Sequence, residues 1–153
     1  MADLIPRNQE VQKIGFGKGK HKVKILSVGS ADSEFDLYSN NVQTTSSSDV
    51  TAIQLPVPTN SLCNVVVSAV GFATDSTRSY AVESAALFTR TAGNVAQVGS
   101  TQALYTAITS GTVVGLTIAA NTTDQTVDIS VGGAAATTVN WTVVARWQRR
   151  SIV

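Results

Sequence analysis

The chain has one cysteine, one histidine, three prolines and three glutamates in 153 residues, and its aromatic content is 6%. Each shortage excludes something. A single thiol, Cys63, cannot close an intramolecular disulfide, so the fold has no covalent framework. A single histidine, His21, is the one candidate for imidazole-based catalysis, and its neighbours Lys20 and Lys22 oppose its taking up a proton. With only three Glu, five Lys and eight Leu, the residues that build helix surfaces are scarce and a helical bundle is excluded. No apolar stretch reaches the roughly 18 residues of a membrane-spanning helix, and the N-terminus has no signal-peptide pattern of a basic and then an apolar region.

What is abundant points the other way. The chain holds 21 Val, 19 Thr, 18 Ala and 16 Ser. Val and Thr are β-branched and suit a pleated, half-buried surface, so the composition predicts an all-β domain. At 43% hydrophobic and 14% charged, the chain is too apolar for disorder and long enough for one independent core.

A net charge of +1 conceals segregation. Residues 1–24 carry Arg7, Lys13, Lys18, Lys20, Lys22 and Lys24 against Asp3 and Glu10, a balance of +4. Residues 25–145 set Arg78 and Arg90 against eight carboxylates, giving −6, and Arg146, Arg149 and Arg150 add +3 at the end. An acidic body has two basic ends.

Residues 1–24 read as a basic N-terminal arm running into a first strand. Gly15, Gly17 and Gly19 alternate through the arm and make regular structure costly there, whereas from Lys20 apolar and cationic residues alternate. Residues 25–49 are rich in Ser, Asn, Asp and Thr and are predicted to be an irregular connection, with at most a short strand near Phe35–Tyr38. The remainder, 50–153, is predicted to be an antiparallel β-sandwich, jelly-roll-like, of seven or eight strands with no helix-length pattern between them. Its last strand is the clearest, because Val139, Trp141, Val143, Ala145 and Trp147 alternate with Asn140, Thr142, Val144 and Arg146. Trp141 is assigned to the core; Trp147 fits a core or a subunit interface equally.

Tests for chemistry find little. Asp32, Glu34 and Asp36 share one face of an extended segment, but an EF-hand frame from Asp32 puts Leu37 at the glycine position and Gln43 at the glutamate position. The acidic run reads as a solvated loop. Glu83 with Asp75 or Asp128 is the only carboxylate pairing to weigh for glycosidase chemistry. Gly15–Lys20 fails both phosphate-loop spacings, since Ile14 and His21 stand where a P-loop needs Gly and Ser or Thr, and Lys20 stands where a dinucleotide fingerprint needs Gly. Cys63 sits in an apolar run and reads as a small core side chain. No catalytic, cofactor or metal residue is assigned.

The basic arm is the one feature beyond generic packing. Cationic side chains on a glycine-permissive backbone suit an anionic surface, acidic protein before nucleic acid, because Phe16 is the only aromatic among them. Arg7, Lys13, Phe16, Lys18, Lys20, Lys22 and Lys24 are the candidate partner-binding residues.

Four segments carry a resemblance: Val65–Phe72, Tyr80–Arg90, the hairpin Gly93–Gly99 and the closing strand Val139–Arg146. Together they resemble a β-sandwich module of bacteriophage and prophage virion proteins, seen in capsid cement (decoration) proteins and in the distal knobs of tail fibres and tailspikes. The resemblance implies a non-enzymatic, homotrimeric virion component with no cofactor, no nucleic acid and no membrane as partner. About 49 residues precede the sandwich, short for fibre architecture, so the expectation is a cement protein. It would bind the major capsid protein on the outside of the phage head, after assembly in the bacterial cytoplasm. The alternative is a knob that binds a receptor or host-surface glycan through loops 74–78 or 121–125.

Overall fold

In the computed structural model, residues 21–25, 33–75, 78–110 and 115–152 are described, the backbone alone at 21–25 and 33–34. Among the described residues ten strands form in chain order: β1 (His21–Ile25), β2 (Ser33–Thr44), β3 (Val50–Pro56), β4 (Ser61–Ala73), β5 (Ser79–Arg90), β6 (Ala96–Ala103), β7 (Ile108–Thr109), β8 (Leu116–Asn121), β9 (Thr126–Val131) and β10 (Val139–Ser151). All pairings are antiparallel. The larger sheet runs β1-β2-β10-β4-β5-β6, with β7 also on β5, and the smaller runs β3-β9-β8. The two pack as a β-sandwich, so the all-β antiparallel expectation is met.

Alternation builds the core. On β4, Cys63, Val65, Val67 and Ala69 are buried while Leu62, Asn64, Val66 and Ser68 are only partly covered. On β10, Val139, Trp141, Val143, Ala145 and Trp147 are all buried, which puts both indoles in the core of a single chain. The smaller sheet supplies Ile53, Leu55, Val127, Ile129 and Val131 to the same cluster. β3 departs from alternation at one point. A bulge between Thr51 and Ile53 turns Ala52 and Ile53 both inward, and the Asn40 amide on β2 donates to the Ala52 carbonyl at 2.7 Å. A backbone acceptor freed from its ladder is thus satisfied by a side chain of the facing sheet.

One expectation is corrected. The irregular connection predicted over 25–49 contains the 12-residue strand β2, which pairs with β10 along its whole length, from Val139 opposite Thr44 to Arg150 opposite Ser33. Both faces of this segment carry polar side chains, so hydrophobic periodicity is silent, and two flanking strands fix its conformation instead. The solvated acidic loop is corrected with it. Asp36 is buried, its Oδ2 accepting from the Tyr38 hydroxyl at 3.2 Å, and register places it between Trp147 on β10 and Lys24 on β1.

The turn end of the sandwich is tied by Gln125. Its backbone has φ of 57°, its carbonyl accepts from Val57 N, its Oε1 accepts from the buried Val95 N at 2.9 Å, and its Nε2 donates to Asn94 Oδ1. Arg90 adds bonds to the Val57 and Gly93 carbonyls. One side chain on each of two elements thereby joins three turns.

Candidate interaction surface

The strands of the larger sheet present a second face, turned away from the smaller sheet. Outward positions are Phe35, Leu37, Ser39, Asn41 and Gln43 on β2, and Asn140, Thr142, Val144, Arg146, Gln148 and Arg150 on β10. On β4 they are Leu62, Asn64, Val66, Ser68, Val70 and Phe72, and on β5 Ser79, Ala81, Glu83, Ala85, Leu87 and Thr89.

Apolar residues on this face are exposed and adjacent. Val70, Phe72 and Ile108 have 57%, 52% and 69% of their surface open to solvent. Register makes them neighbours: Ile108 lies opposite Ala81, Ala81 opposite Val70, and Phe72 is two residues along β4 from Val70. Scattered exposed apolar residues are ordinary, but a contiguous group on one sheet face is a candidate contact surface.

The polar groups around them are already bonded to one another. Gln43 Nε2 donates to Asn140 Oδ1 at 2.9 Å, and Thr142 Oγ1 to Asn41 Oδ1 at 2.9 Å. Ser68 Oγ at 2.8 Å and Arg146 Nη2 at 3.0 Å both donate to Glu83 Oε1. Covering a hydroxyl or amide that keeps its partner costs far less than covering one whose partner is water. Asn41, Val42, Gln43, Asn140, Trp141 and Thr142 also line a shallow groove of about 400 Å³.

The candidates for chemistry do not converge. Asp128, bonded to Asn121, Gln54 and Thr126, lies on the outward face of the smaller sheet, the opposite side of the sandwich from Glu83. Asp75 lies beyond the end of β4, seven positions from the Ser68 that faces Glu83, roughly 20 Å at strand rise, too far for paired carboxyl catalysis. Burial raises the Cys63 thiol above its ordinary pKa, against weaker lowering by the Ser61 hydroxyl and by Arg149. It is therefore a poor nucleophile at neutral pH. Among the described residues no group of three His, Cys, Asp or Glu is arranged to hold a metal ion.

Of the predicted partner-binding residues, Arg7, Lys13, Phe16, Lys18 and Lys20 lie outside the described residues. Lys22 and Lys24 lie on β1, at the edge of the larger sheet, in register with Tyr38 and Asp36. Sequence reasoning missed the outward face of β4. The available signal was the unbroken apolar run through Val65, Val66 and Val67, because a strand apolar on both sides is built to be covered on both.

Comparison with protein-family models, with curated proteins and with solved structures finds no match to this chain.

Proposed function

We propose that this chain is a structural virion protein, a homotrimeric cement protein that binds the major capsid protein on the outer surface of a phage head. The observation that carries the reading is the outward face of the larger sheet, where Val70, Phe72 and Ile108 stand exposed among polar groups bonded to one another. Such a face suits protein association better than turnover of a small substrate. The sequence resemblance supplies the virion context, and the basic N-terminal arm supplies the capsid contact. Three linked arms raise one another's effective concentration, so individually weak contacts suffice.

The test is the number of copies in purified particles of the virus that encodes the chain. Quantitative mass spectrometry should find hundreds per particle, whereas a few trimers would place it in the tail and overturn the reading. The groove beside Asn140 is the feature that supports the alternative, a glycan-binding knob. Binding of the purified chain on a glycan array, with none to capsids, would favour it.

A further inference from the structure

We propose that the outward face of β2, β10, β4 and β5 is the surface through which copies of this chain contact one another, with Phe72 and Val70 as its exposed apolar anchors at the end where β4 turns into β5. The inference deepens the reading above by naming the face used, and it rests on that reading for the existence of an oligomer. Three observations select a second copy as the occupant.

The first is area. Four strands at sheet spacing and about twelve residues of strand rise give a face roughly 20 Å by 40 Å, or about 800 Å². A standard protein interface buries about that much on each partner. In a closed trimer the face is divided between two neighbours, so each copy buries about that much in all.

The second is charge. Among the outward side chains of these four strands only Glu83, Arg146 and Arg150 are charged, and Glu83 is already paired with Arg146 at 3.0 Å. The half of the face around Phe72, Val70, Asn140 and Thr142 has no charge at all. A nucleic acid would find too few cations here, and the chain's own basic arm would find no unpaired carboxylate on this face. A copy of the same sparsely charged face meets it with little repulsion.

The third is preparation for burial. Asn41 with Thr142, Gln43 with Asn140, and Ser68 with Glu83 keep their hydrogen bonds when water is removed. A sugar or peptide ligand would have to compete with those bonds; a neighbouring copy, whose own amides and hydroxyls are bonded in the same pairs, would not. Phe72 and Val70 occupy β4, with β10 on one side and β5 on the other, so they are flanked by strands on both sides at one end of the face.

Sedimentation velocity on the full-length chain and on Phe72→Glu and Val70→Lys tests this, with thermal unfolding of each variant as the check on folding. Both positions are exposed, so the variants are expected to fold. The expected result is an oligomer for the wild type and at least a tenfold weaker association for each variant. A wild-type oligomer that both variants leave intact would overturn the inference while sparing the trimeric reading. A wild-type dimer dissociated by the variants would support the face and overturn the trimer, and a wild-type monomer at 100 µM, about the top of the range tested, would overturn both. Should either variant unfold, Thr142→Lys, at an exposed polar position beside Val70, replaces it and is held to the same outcomes.

Discussion

Gly71 on β4 faces Trp141 on β10 so closely that a Cβ at Gly71 would lie 2.7 Å from the indole Cε3 and Cζ3 carbons. The ring occupies the space that the missing side chain leaves. Tyr80, opposite Gly71 on its other side, stacks on the same indole with centroids 5.6 Å apart, and the indole N–H donates to Thr44 Oγ1 at 3.2 Å. Four strands are thereby locked at one level by one glycine and two rings.

Gly71→Ala should therefore destabilise the fold by about 1–3 kcal/mol through overpacking. Urea unfolding followed by tryptophan fluorescence measures it. A change below about 0.5 kcal/mol would mean that the ring shifts aside at little cost.

Gln125→Ala removes the only acceptor shown for Val95 N, a donor within a buried residue, and cuts the link to Asn94. A loss of about 1–3 kcal/mol is expected in the same assay. Gln125→Glu should recover only part of it, because one carboxylate oxygen accepts from Val95 N while the other meets the acceptors Asn94 Oδ1 and Thr122 O, to which Nε2 donated.

Cys63 should resist alkylation by iodoacetamide in the folded chain and react fully in denaturant, since burial both shields the thiol and disfavours its thiolate. A pH effect follows with a definite sign. The unfolded thiol ionises near its ordinary value of 9.0 while the folded one holds its proton longer, so stability falls as pH rises past that value. Cys63→Ala should flatten that slope in urea titrations at pH 8 to 10.

Arg146→Ala breaks the bond to Glu83 on the outward face. An ion pair this exposed contributes little, so the cost to folding should stay under about 1 kcal/mol. Calorimetry settles it, and a larger loss would mean that the pair helps hold β5 to β10.

Much of the sandwich was legible because β10 repeats every two residues and β4 is a long apolar run. Cys63 and Trp141 went to the core as their apolar surroundings required, whereas Trp147 could be placed only once Asp36 and Val65 were known to flank it. β2 was illegible for a definite reason: Ser39, Asn41 and Gln43 alternate with Tyr38, Asn40 and Val42, leaving no apolar contrast between its sides. Residues 103–108 are largely loop, with only Ala103 and Ile108 in strands. The interaction surface was hidden for another reason, since Phe72 and Ile108 are joined only by the register of β4, β5 and β7.

The position of β10 between β2 and β4 has a consequence during synthesis. Until residues 139–151 have left the ribosome, β2 and β4 lack the strand that joins them, and the larger sheet exists only as two separate edges. Local hairpins such as β4 with β5 can form early, but closure waits on pairings that span about a hundred residues of chain. Folding of the whole sandwich thus waits for β10 to emerge and proceeds at the slow pace of topologies dominated by distant contacts.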